Sequence, residues 1–117
     1  AAMYGNFDYY LNPERGAIPE WSADKFAVAT WEDWLNLDPF PSATKLNKPL
    51  LMIHSNGCVL PDYTKKYFEA VPSKDKELIW VDTKLESPIH QFAFYDQDKE
   101  VNLAVEKTSA FFKEKLR

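Results

Sequence analysis

A chain of 117 residues is one domain or part of one. Its 45% apolar and 15% aromatic content excludes a disordered chain and calls for a fold that buries much of that load. The net charge of −4 carries no Lys/Arg cluster, which argues against nucleic acid as a partner, and no apolar run approaches the roughly 20 residues that a membrane span needs.

The N-terminal stretch Ala1 to Tyr10 has neither the basic start nor the apolar run of a signal peptide. Residues Met3 to Leu11 suit a short helix, or a strand through Phe7, Tyr9 and Tyr10. Asn12-Pro13 and Gly16 are turn signals. Ser22 then offers an N-cap and Asp24 a first-turn acid. Phe26, Trp31, Trp34 and Leu35 follow at helical spacing, which predicts a helix over Ala23 to Leu37 whose aromatic stripe faces a core or, with Trp21, lines an acyl or aromatic pocket under a lid. Pro39 and Pro41 should end it. A polar linker, Ser42 to Lys48, follows.

Pro49 to His54 is a short continuous apolar run, as expected of a strand buried on both faces. Asn56-Gly57 breaks it. Pro61 fits the first position of a helix whose face is Tyr63, Tyr67, Phe68 and Val71. Pro72 stops that helix, and Leu78 to Val81 reads as a second buried strand. A loop from Asp82 to about Gln97 contains Pro88 and His90. Asp98 can cap a last helix running to Lys115, with Val101, Val105, Thr108, Phe112 and Leu116 along one side. Residues 1–47 therefore read as a helical segment, and residues 48–117 as a β-α-β-α unit. A helix between two buried strands makes them a parallel pair. Two parallel strands do not stand alone, so the sheet is expected to be completed by an N-terminal half or by a second copy of the chain.

Ligands of open α/β sheets bind outside the carboxyl ends of the strands. Two loops leave those ends, one through His54-Ser55-Asn56-Gly57-Cys58, the other through His90. The run Lys48-Pro49-Leu50-Leu51-Met52-Ile53-His54-Ser55, followed by Leu60-Pro61-Asp62, resembles the acid-bearing strand and loop of α/β-hydrolases of the dienelactone-hydrolase-like and prolyl-oligopeptidase-like branch. Ile89-His90-Gln91-Phe92-Ala93-Phe94-Tyr95-Asp96-Gln97 is similar to the histidine loop of the same group. Arg15 to Trp21, with Phe26-Ala27-Val28 and Trp31-Glu32-Asp33-Trp34-Leu35, resembles its helical, cap-like insertion. The resemblance implies the C-terminal portion of an α/β-hydrolase fold. It implies a serine-type hydrolase acting on an ester-like small molecule, with His90 as base and no cofactor or metal.

Two positions depart from that pattern. Asn56 stands where the family carries its acid, and Asn can orient an imidazole but cannot stabilise its cation by charge. His90 lies one residue before the place the family uses, which Gln91 occupies. The nucleophile is missing. No Ser lies in a Gly-x-Ser-x-Gly elbow, because the chain has only Gly5, Gly16 and Gly57. The chain is therefore expected to be an inactive C-terminal fragment. The alternatives are a non-catalytic, hydrolase-like binder and a fragment that assembles with itself.

Plainer readings stand beside these. His90 is otherwise an ordinary loop histidine, and Asn56-Gly57 a plain turn. His54 is expected to be structural, bonded to backbone. Cys58 is expected to be a small thiol lining the turn rather than a nucleophile. One cysteine allows no internal disulfide, which suits the cytoplasm. His54, Cys58 and His90 match no zinc spacing, and Asp96, Asp98 and Glu100 read as helix N-terminal charge.

Overall fold

The run after Pro49 forms a strand, as its β-branched and long apolar side chains favour. A computed structural model describes residues 8–20, 27–81 and 93–116 of the chain. In it β1 spans Leu50–Ser55 and β2 spans Lys76–Val81. The two strands pair in parallel, from Leu50 opposite Lys76 to Ser55 opposite Val81. Helix α4, Pro61–Ala70, connects them, and α6, Asp98–Lys115, follows β2. The described residues thus form a small mixed unit of helix and strand around a two-stranded parallel sheet. Among them no helix is long and apolar enough to cross a membrane.

β2 starts two residues before the apolar run because Lys76 and Glu77 take part in the ladder, opposite Leu50 and Leu51. Lys76 also closes α4. Its Nζ donates to the carbonyls of Phe68 and Val71, each at 2.6 Å, and to that of Glu69 at 3.4 Å. These are the acceptors that the end of a helix leaves without internal partners, and a cation suits the negative end of the helix dipole. The Lys76 ammonium also lies 4.7 Å from the Phe68 ring centre. At the other end Pro61 occupies the first turn, as expected.

The segment ahead of the sheet differs from the sequence expectation. Pro41 begins a helix instead of ending one: α3 spans Phe40–Ala43 with proline in its first turn. Asp38 Oδ1 accepts the Phe40 N–H at 3.0 Å and secures the start. The supposed linker therefore contains Ala43, which is fully buried. Of the long helix expected over Ala23 to Leu37, the described part is a 3-10 turn at Val28–Thr30 and α2 at Trp31–Asn36. Ser22, Asp24, Trp21 and Phe26 lie outside the described residues. Trp31 and Trp34 are 41% and 62% exposed, so the described part of the stripe is not core.

The last helix runs over the expected residues but presents a different face. Val101, Ala104, Thr108, Phe111 and Lys115 are half-buried, while Val105, Phe112 and Leu116 are exposed. The face is shifted because Lys115 reaches inward, its Nζ 2.8 Å from Asp75 Oδ1 in the turn before β2. Asp75 and then Glu114 push the Lys115 ammonium upward from its ordinary pKa.

The N-terminal segment folds back onto the residues that precede α6. Helix α1, Asp8–Leu11, and the turn after it lie against α5, Ala93–Asp96. Arg15 makes a two-pronged bond to Asp96, Nε to Oδ2 and Nη2 to Oδ1, both at 2.7 Å. The guanidinium, and then the Gln97 amide, hold the Asp96 carboxyl down at about 2. Tyr9 stacks on Tyr95 at 4.9 Å and meets Tyr10 edge-on at 5.3 Å. The Tyr9 ring also covers Gly16 so closely that a β-carbon there would overlap it. The Tyr10 hydroxyl donates to Tyr95 at 3.1 Å. That bond first, then part burial and the neighbouring phenols, push it up to about 12.

Little of the chain is fully buried. Among the described residues the buried hydrophobic side chains are Ala43 and Val71. β1 was expected to be covered on both faces, yet Leu50 to His54 are only half-buried. The reason is physical. Among the described residues β1 has β2 as its one strand neighbour, and one helix, α4 or α6, lies against it on either side. Parallel sheets become dry when several strands share two helical layers, and two strands offer too little width for that.

Candidate functional site

The carboxyl end of β1 is the best-defined place where chemistry could gather. Ser55, fully buried, ends the strand. The Cys58 N–H donates to the Ser55 carbonyl at 3.2 Å and closes a four-residue turn, Ser55 to Cys58. Asn56 and Gly57 are its central residues, so Asn56 is carried on a tight turn at the sheet's carboxyl edge. Gly57 is buried there. Ser55 Oγ donates to Cys58 Sγ at 3.2 Å. The thiol therefore lies inside the turn as a half-buried acceptor, in keeping with the plainer reading of Cys58.

His54 braces the same loop. Its Nδ1 lies 2.9 Å from the Ser55 carbonyl and its Nε2 lies 3.1 Å from the Val59 carbonyl. The imidazole thus bridges the two ends of the turn, which agrees with a structural, backbone-bonded histidine. Its ring packs on Trp80, its partner across the ladder, at 5.4 Å. On Trp80 in turn lies the Lys65 ammonium, 4.3 Å from the ring centre.

The loop ends in strain. Leu60 has φ 53° and ψ 55°, the left-handed conformation, immediately before α4. A leucine pays about 1–2 kcal/mol for that geometry. Such outliers persist where the surroundings over-determine them, and they cluster at functional sites. The Leu60 carbonyl is fixed by Thr64, through its N–H at 3.0 Å and its hydroxyl at 3.3 Å.

Beside the loop opens a cavity of about 590 Å³, lined by Phe40, Met52, Leu60, Tyr63, Thr64 and Tyr67 among others. Phe40 meets Tyr63 and Tyr67 edge-on at 6.1 and 6.0 Å. The walls are apolar and aromatic, and they suit an acyl or aryl group better than a charged one. A second hollow of about 530 Å³ lies between β1 and α6, with Leu51, Ile53 and Phe111 among its walls.

Of the expected site residues, Asn56 lies at the centre of the turn after β1, whereas His90 and Gln91 lie outside the described residues. Asp98 and Glu100 occupy the first turn of α6, as expected of helix N-terminal charge. Asp96 does not share that role, because it belongs to α5 and pairs with Arg15. The Arg15–Asp96 pair and the three tyrosines were not visible in the sequence, since no local pattern links residues 81 positions apart. Among the described residues no group of three or more His, Cys, Asp or Glu side chains is placed to hold a metal ion. No family model matches this chain, and comparisons with curated proteins and with solved structures find no match either.

Proposed function

We propose that this chain is the C-terminal part of a cytoplasmic serine-type α/β-hydrolase acting on an ester or related acyl bond. The observation that carries the reading is the Asn56 turn at the carboxyl end of a parallel strand. The neighbouring strand runs in the same direction, and the segment containing His90 follows it in sequence. In this reading His90 takes the proton of a serine and returns it to the leaving group, while Asn56 orients the imidazole. The serine and the oxyanion hole come from outside these 117 residues, so the chain alone does not turn over. The aromatic cavity beside the turn supports an apolar acyl or aryl portion of the substrate.

The protein made from the complete reading frame is expected to hydrolyse p-nitrophenyl esters and to lose that activity with His90→Ala. An Asp in place of Asn56 restores charge to the acid position. By analogy with the loss of about four orders of magnitude in the reverse change in a serine protease, Asn56→Asp should raise kcat by about 10²–10⁴. Esterase turnover by the 117-residue chain alone overturns the reading, as does a complete reading frame without a nucleophile elbow. The amide at position 56 supports a second reading, a hydrolase-like protein that binds a small molecule or a partner without chemistry. Under that reading Asn56→Asp gives no gain.

A further inference from the structure

We propose that His54 is the positioning residue of the Asn56 turn: its ring, held between the Ser55 and Val59 carbonyls, sets where the Asn56 side chain can point. The role deepens the hydrolase reading and rests on it for its catalytic meaning.

The bond pattern supplies the argument. A turn of four residues with a single backbone hydrogen bond, here Cys58 N–H to Ser55 carbonyl, leaves its outgoing strand free to swing. The His54 ring adds one contact at the start of the turn and one just past its end, at 2.9 and 3.1 Å. The Nε2 contact with the Val59 carbonyl encloses Ser55 to Cys58 in a second closure, while the Nδ1 contact shares the Ser55 carbonyl with the turn's own bond. The ring itself is anchored on Trp80, which β2 holds opposite in the ladder. The brace is thus referenced to the sheet, and through the sheet to the strand that precedes the segment containing His90. The left-handed Leu60, directly after Val59, fits this account. The chain accepts a costly conformation in order to present the Val59 carbonyl to the ring and still enter α4 at Pro61.

A neutral imidazole carries one N–H, so one of the two carbonyls accepts a hydrogen bond from the ring and the other lies in contact with it. Among the described residues, Lys65 of α4 lies over Trp80 on the far side of this stack, and Cys58 lies within the turn.

The test uses the protein made from the complete reading frame, with His54→Phe and His54→Gln. Phenylalanine keeps the stack on Trp80 and removes both polar contacts; glutamine restores one donor. Hydrogen exchange over residues 55–59 should quicken about tenfold in His54→Phe and less in His54→Gln, with α4 and α6 exchanging as in the parent. In the ester assay kcat should fall in His54→Phe with KM little changed, and His54→Gln should recover part of the loss. Unchanged exchange at residues 55–59 overturns the brace. Faster exchange with unaltered kcat in an active enzyme overturns the positioning role. An inactive parent refutes the hydrolase reading instead, while the exchange data still decide whether His54 braces the turn. If His54→Phe fails to fold, the same comparisons are made with His54→Gln.

Discussion

Lys76 offers the sharpest test of how α4 is held over the sheet. Lys76→Met keeps an apolar stem and removes the ammonium that satisfies the Phe68 and Val71 carbonyls and lies over the Phe68 ring. A hydrogen bond involving a charged group contributes about 1.5–3 kcal/mol net. Two short ones are lost here, but the helix end is half-buried and water can reclaim part of the loss. The expected cost is therefore about 2–3 kcal/mol rather than the full sum. At about 4 °C per kcal/mol for a domain near 100 residues, the melting temperature should drop by about 8–12 °C. Thermal unfolding followed by far-UV circular dichroism measures this, at fixed protein concentration. Lys74→Met, at an exposed neighbour, is the control for loss of charge alone. Equal melting temperatures for the two variants would refute the capping account.

Two further outcomes follow from the same structure. The Asp96 carboxyl is held at about 2 by Arg15, below its unfolded value of about 3.9. The pair's stabilisation is therefore complete above about pH 4 and lost as the pH falls through about 2. The near-UV tyrosine signal of the Tyr9–Tyr95 stack should weaken across that window, and Asp96→Asn should remove the dependence; a signal flat from pH 5 to the acid limit counts against it. Leu60→Gly relieves a left-handed leucine that is 58% exposed and so contributes little burial. It should stabilise the protein by about 0.5–1 kcal/mol, about 2–4 °C in melting temperature, and a lower melting temperature would show that the conformation is unstrained.

What could be read from the sequence was what depends on neighbours along the chain. The run Leu50 to Ile53 and the helix start at Pro61 were legible because a continuous apolar run and an N-terminal proline each have a local cause. α3 was missed because Pro41 both stops a preceding helix and starts a following one, and only Asp38 decides between them. β2 was read short because Lys76 and Glu77 look like loop residues until Leu50 and Leu51 are placed opposite. The α6 face was misread by giving Leu116 the inward place that Lys115 takes through Asp75. For Trp31 and Trp34 the pattern was helical, but helical spacing says which face is apolar and not whether anything covers it. At the site, the Asn56 turn was legible from Asn-Gly, whereas the brace by His54 depends on Val59 coming back to the ring.

Among the described residues β1 is paired on one side alone, and completion of its other side by a separate segment would make stability a matter of mass action. A strand that is completed by binding another segment gains RT ln(1 + [L]/Kd) from its occupant. Above Kd, each tenfold rise in the occupant's concentration adds about 1.4 kcal/mol. For a unit whose buried hydrophobic side chains, among the described residues, are Ala43 and Val71, that increment is large beside its own reserves. Were a separate copy or segment to complete this sheet, dilution would act on the fold as a mild denaturant, whereas a segment of the same polypeptide would make it insensitive to concentration.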